Sequence, residues 1–199
     1  MVEIGGLVPF SLSDYPGRVA AVVFTQGCNF SCPYCHNSSL IPRIPGSMAG
    51  PQKVMEFLKG RRDRLSGVVI SGGEPTIHEG LHLFLSQIRS IGLPIKLDTN
   101  GSNPELLSRL LKSGLLDFIA MDIKGPWHKY DLVSGRSGAA SRVRQSMAIV
   151  AESGIGHLFR TTVVPGLLDD DDLDEISSLI PSGSPHIFQP YRPPGSLAA

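Results

Sequence analysis

The 199-residue sequence predicts an α/β protein, an open partial TIM-type (β/α)6 barrel with parallel strands. Three observations lead there. Short apolar runs rich in β-branched residues alternate with stretches of helical periodicity. Six such runs are present, too few for the eight units of a closed barrel. The polar residues with chemical potential fall just after these runs, at the carboxyl ends of the strands, where parallel sheets place their sites. A doubly wound open sheet would give the same string of elements. An open barrel would leave a lateral cleft able to admit a large substrate such as a protein loop.

The first strand is read over 19–25, almost wholly apolar, as a strand covered on both faces should be. A helix over 51–64 leads to a strand over 67–70 that stops at Ser71-Gly72-Gly73-Glu74-Pro75. The helix over 79–91 carries Leu81, Phe84, Leu85 and Ile88 on one stripe and closes on Gly92. A strand over 94–98 runs into Thr99-Asn100-Gly101, and the helix over 104–112 opens on Pro104 and closes on Gly114. The strand over 117–123 ends in Met121-Asp122-Ile123-Lys124, followed by a helix near 139–153 and a strand over 157–164 containing Arg160. A last helix opens in the acidic run 169–174 and reaches 180, before a short strand over 186–189. Asp169 to Asp172 are read as capping and dipole complement and not as metal ligands. His78, His82, His128, His157 and His186 have no spacing that argues for a site.

Composition excludes several function classes. Lys plus Arg equals Asp plus Glu at 18 each, so no net charge drives generic nucleic-acid binding. No stretch approaches the roughly 20 apolar residues of a membrane span, and the first residues lack a secretory signal. A cytoplasmic location is expected.

All three cysteines, Cys28, Cys32 and Cys35, fall within eight residues. An odd, clustered set is a poor disulfide framework and reads as metal ligation. Structural zinc takes four protein ligands, and the fourth would be His36, adjacent to Cys35 and awkwardly placed for a tetrahedral site. Three thiolates on a four-iron cluster leave one iron open to a small molecule.

Cys28-x3-Cys32-x2-Cys35 after the first strand, with Gly72-Gly73-Glu74 after the second, resembles the signature of radical S-adenosylmethionine (SAM) enzymes. The stretches 13–18, 24–28, 34–37, 97–101 and 163–166 look like the activating enzymes of glycyl radical enzymes. Within that group the chain is most similar to activators of anaerobic ribonucleoside-triphosphate reductase, with the longer pyruvate formate-lyase activating enzymes as relatives. The resemblance spans about residues 6 to 191, one radical SAM domain over 1–199. It implies a [4Fe-4S] cluster on the three cysteines, with SAM chelating the fourth iron. An electron from a donor such as flavodoxin or ferredoxin would cleave SAM to methionine and a 5′-deoxyadenosyl radical. That radical would take a Cα hydrogen from a glycine of a partner enzyme.

The resemblance also distributes roles. Tyr34 and His36 would contact the adenine side of SAM. Gly72, Gly73 and Glu74 would serve its amino group, with glycines letting backbone approach a ligand. Asp98, Thr99 and Asn100 present oxygens at one strand end, and Asp122 with Lys124 at the next, Lys124 being the natural partner of the SAM carboxylate. Asp98 and Asp122 would hold a monovalent cation beside SAM. Arg160 is read either as a contact to the SAM carboxylate or ribose or as a structural ion pair. Relatives often carry histidine where this chain has Arg192, after Pro190-Tyr191. No further cysteine is present for an auxiliary cluster, and the open iron makes the site oxygen-sensitive. Two alternatives stay open: a radical SAM enzyme acting on a small molecule or nucleotide, and a noncatalytic zinc or iron–sulfur module.

Overall fold

The computed structural model describes residues 1–43 and 50–193. One seven-stranded sheet runs in sequential order: β1 (Ile4–Ser11), β2 (Ala20–Thr25), β3 (Gly67–Gly72), β4 (Ile95–Thr99), β5 (Phe118–Asp122), β6 (Gly156–Val163) and β7 (His186–Pro190). Strands β2 to β7 are parallel to their neighbours, and β1 joins β2 antiparallel. The helices are α1 (Pro51–Gly60), α2 (Leu81–Ser90), α3 (Pro104–Lys112), α4 (Tyr130–Ser134), α5 (Ala139–Ala151) and α6 (Asp170–Leu179).

A doubly wound sheet reverses its strand order and carries helices on both faces. Here the order never reverses, and the buried helix residues Leu58, Leu85, Leu107, Val143, Val150 and Ile176 share one core with Val23, Ile70, Leu97, Met121 and Phe159. That core is one face of the sheet. Among the described residues the other face bears no helix, and it becomes the inside of an open barrel. Among the described residues β1 and β7 do not pair with each other, so the barrel stays open between them.

Strand β1 was not predicted, because Gly5, Gly6 and Pro9 break its β pattern; a proline is tolerated there because β1 is an edge. The short helix α4 is also additional. The predicted 51–64 helix ends at Gly60 and continues as a 3-10 turn over Arg62–Arg64. The remaining elements lie within two residues of expectation at most ends.

Alternation along the strands divides the inner face into layers. Val22, Val69, Lys96 and Phe118 lie side by side across β2 to β5. Tyr15 packs under them with Ala20, its ring 6.1 Å from that of Phe118. One layer toward the carboxyl ends come Phe24, Ser71, Asp98 and Ala120, and beyond them Asp122 in register with Arg160. The inner face is thus apolar near the strand starts, Lys96 excepted, and charged near the strand ends. Phe159, fully buried on the helix-bearing face of β6, holds β6 against the core. Phe159→Ala is expected to cost about 3–5 kcal/mol of unfolding free energy, measured by urea denaturation.

Candidate active site

The cysteine loop leaves the end of β2 and is held at both flanks by backbone contact. Gly27 donates its N–H to the Leu40 carbonyl (2.7 Å) and Cys28 to that of Ile41 (3.0 Å). On the β3 side, the N–H groups of Gly73 and Glu74 donate to the carbonyls of Thr25 (2.9 Å) and Gly27 (2.8 Å). A Cβ at Gly73 would run into the Gly27 carbonyl, and one at Gly72 into Thr25. The two glycines are therefore demanded by the cysteine loop lying against the β3 turn, and the turn has no free N–H at Gly73 or Glu74 to offer a ligand. At the other flank, Ser31 donates its N–H to the Ser134 carbonyl (3.0 Å) and its hydroxyl to that of Gly135 (3.0 Å). Gly135 ends α4 at φ +63°, and a Cβ there would collide with Ser31.

Glu74 is fully buried, and its carboxylate is satisfied within the protein. One oxygen accepts from the Thr76 N–H (3.0 Å), the Thr76 hydroxyl (2.5 Å) and the Thr99 hydroxyl (2.8 Å); the other accepts from the Asn100 N–H (2.6 Å). Burial raises its pKa, and these donors oppose the rise. Glu74 thus joins the ends of β3 and β4 and positions Asn100. The Asn100 side-chain amide in turn donates to Asn29 Oδ1 (3.0 Å) and lies 3.9 Å from Cys28 Sγ. Asn29, which sequence reasoning passed over, also donates to the Ser102 hydroxyl (2.8 Å).

The three thiols are free and all line one cavity of about 510 Å³. Cys28 Sγ accepts from the Phe30 N–H (3.4 Å), and Cys32 lies 3.6 Å from the Ser134 carbonyl. Burial pushes Cys28 up to about 11 and raises Cys32 as well. A zinc ion at about 2.3 Å from each thiolate would gather its ligands tightly. Among the described residues no three His, Cys, Asp or Glu side chains converge in that way. His36, the fourth ligand zinc would need, is exposed and places Nδ1 3.3 Å from the Arg192 carbonyl. Three thiols lining one cavity suit a cluster, whose ligands attach to different irons.

The cavity wall opposite the cysteines is charged. Lys96 Nζ pairs with Asp98 Oδ1, and Ser71 Oγ donates to Asp98 Oδ2 (3.2 Å). Arg160 bridges two carboxylates, from Nε to Asp122 Oδ1 (2.9 Å) and from a terminal nitrogen to Asp98 Oδ2 (3.4 Å). Lys124 Nζ completes the series on Asp122 Oδ2 (2.9 Å). Burial alone would raise the Asp122 pKa, but Arg160 and Lys124 outweigh it and hold the group at about 2. Lys124 and Arg160 are desolvated, which works against their charge, yet their aspartate partners raise both. The other predicted site residues line this cavity with the cysteines: Tyr34, His36, Gly72, Gly73, Glu74, Asp98, Asn100, Asp122, Lys124 and Arg160. Tyr34 is buried, and its hydroxyl has no hydrogen-bond partner among the described residues. Lys96 was missed, although the alternation Ile95-Lys96-Leu97-Asp98 puts it on the same face as Asp98.

Comparison with known proteins agrees with this geometry. The family model described as the Radical SAM superfamily matches residues 22–179. The chain belongs to the radical SAM superfamily. Membership makes it an enzyme of that kind, with a [4Fe-4S] cluster on three cysteines and SAM as its cofactors. A "Putative glycyl-radical enzyme activating enzyme" of Methanocaldococcus jannaschii is 31% identical over 197 residues, covering 96% of this chain and 80% of the relative. A pyruvate formate-lyase-activating enzyme of Streptococcus mutans is 28% identical, covering 89% and 73%. Among solved structures, Streptococcus suis SuiB bound to precursor peptide SuiA superposes with a TM-score of 0.69 at 15% identity. That match covers 86% of this radical SAM chain and 39% of SuiB, and it establishes a shared fold.

Glu74→Gln would set an amide against the backbone N–H it now accepts from. The expected result is a loss of about 1–3 kcal/mol in unfolding free energy together with reduced iron uptake on reconstitution, measured by urea denaturation and iron assay.

Proposed function

We propose that the chain is an activase that installs a glycyl radical in a partner enzyme, an anaerobic ribonucleoside-triphosphate reductase, in the cytoplasm with a flavodoxin- or ferredoxin-type electron donor. The observation that carries the activase reading is similarity over nearly the whole chain to the Methanocaldococcus jannaschii relative, with three thiols and the charged wall facing one cavity. The choice of reductase rests on the sequence resemblance alone.

When bound, the cluster and SAM supply reductive cleavage of the SAM sulfonium to a 5′-deoxyadenosyl radical. The chain's own residues bind and orient. Cys28, Cys32 and Cys35 would hold the cluster by three thiolates, fewer than its four irons, which leaves room for SAM to bind there. Lys124 and Arg160 present cations to the SAM carboxylate, Lys124 being the freer because it has a single carboxylate partner. Tyr34 brings an unsatisfied hydroxyl to the adenine side. Tyr15, Val22, Val69 and Phe118 close the barrel beneath the charged layer and keep water from entering there. Asp14, which follows β1, and Tyr191 and Arg192, which follow β7, line the same cavity, so residues from both sides of the gap between β1 and β7 border it. That gap gives a glycine-bearing loop a way in, and glycine, lacking Cβ, fits closest to the cavity.

The test is anaerobic incubation of reconstituted protein, SAM and reductant with an anaerobic ribonucleotide reductase and, separately, a pyruvate formate-lyase, followed by electron paramagnetic resonance. A glycyl doublet in the reductase is expected, and Lys124→Met should weaken SAM binding roughly ten- to hundredfold. A doublet only in the lyase would overturn the choice of partner. No doublet in either, with 5′-deoxyadenosine released on addition of a small molecule or nucleotide, would overturn the activase reading.

A further inference from the structure

We infer that this chain supplies, from Lys96 and Arg160, the positive charge that a monovalent cation would bring between Asp98 and Asp122, so that its SAM site functions without bound sodium or potassium. The inference rests on the SAM-site reading only for its binding arm.

A cation at this place would need carboxylate oxygens left to coordinate it, and every one of the four is already engaged by a protein cation. Asp98 Oδ1 meets Lys96 Nζ, and Asp98 Oδ2 takes a terminal nitrogen of Arg160 at 3.4 Å together with the Ser71 hydroxyl. Asp122 Oδ1 takes Arg160 Nε at 2.9 Å, and Asp122 Oδ2 takes Lys124 Nζ at 2.9 Å. The planar guanidinium fork spans the two aspartates, a task suited to arginine and to a small bridging ion alike. An added ion between the two aspartates would compete with it for the same oxygens.

Lys96 adds a third cation to the group. It sits in the layer of Val22, Val69 and Phe118, with its side chain 3% exposed, so its ammonium has apolar neighbours on its own level and, among the described residues, pairs with Asp98 alone. Without Lys96 the group would hold two cations against two carboxylates. With it, three face two, and the surplus positive charge already suits an anionic ligand such as the SAM carboxylate. A further cation would be repelled by Lys96, Arg160 and Lys124 in a poorly solvated site.

The first arm uses cluster-free, SAM-free protein and compares thermal midpoints in sodium, potassium and tetramethylammonium chloride at equal ionic strength. The parent should show the same midpoint in all three. Arg160→Met should be higher in sodium or potassium than in tetramethylammonium by about 2–4 °C, as expected for an ion binding only the folded state. Lys96→Met gives the same comparison if Arg160→Met does not fold. A parent stabilised by sodium or potassium to that extent, or two folded variants indifferent to them, would overturn the inference. The second arm measures SAM affinity of reconstituted parent in the same salts. Equal affinities are expected; a tightening of about tenfold by sodium or potassium would overturn it. Failure of the chain to bind SAM at all would count against the proposed function, while the midpoints of the first arm would still decide the cation question.

Discussion

The backbone contact between the cysteine loop and the β3 turn is the constraint on which the site depends. Parallel strands place β2 and β3 side by side, with Thr25 in register with Gly72, so the two polypeptides leave the sheet at the same level. Glycines at 72 and 73 let them stay in contact beyond the sheet, and the Gly27 carbonyl becomes an acceptor for Glu74. Glu74 then turns inward to Thr76, Thr99 and Asn100, which ties in β4, and Asn100 reaches back to the cysteine loop through Asn29. The circuit closes on itself. The thiols are thereby presented by a framework tied together through backbone contacts, with Ser134 of α4 and Gly135 just beyond it as a second abutment.

The charged wall is a consequence of strand alternation. Residues that would be core in a closed sandwich face a cavity here, because the barrel stays open and, among the described residues, no helix covers its inner face. Burying charge is costly unless it is paired, and each aspartate on this wall is paired twice over. The apolar residues Tyr15, Val22, Val69 and Phe118 pack together one layer below, beneath the cavity-lining Phe24, Ser71 and Asp98. Chemistry and stability are thus separated along the strand axis, and the inner face can carry charges without sacrificing the helix-side core.

Much of this was legible in the sequence. The six parallel strands could be read because each is a short apolar run bounded by turn residues, and the residues proposed for the site follow those runs and so come to line one cavity. Three features were hidden for physical reasons. Strand β1 is an edge whose glycines and proline erase the pattern that a central strand must keep. The roles of Gly72, Gly73 and Glu74 depend on a neighbour 45 or more residues away in sequence, Thr25 or Gly27, which only the parallel register brings close. Lys96 drew no reading of its own within the strand over 94–98. Its alternation with Ile95 and Leu97 was a readable sign of an inward position, but its pairing with Asp98 and the bridging by Arg160 needed the β4 to β6 geometry.

The central claim is that the three cysteines hold a cluster whose open iron takes SAM. Its most direct test is anaerobic reconstitution with iron and sulfide, counting of bound metal, and chromatography of the products formed from SAM after dithionite reduction. The account predicts about four irons per chain and formation of 5′-deoxyadenosine, both lost in a Cys32→Ala protein that remains folded. One zinc per chain, no iron uptake and intact SAM would contradict it.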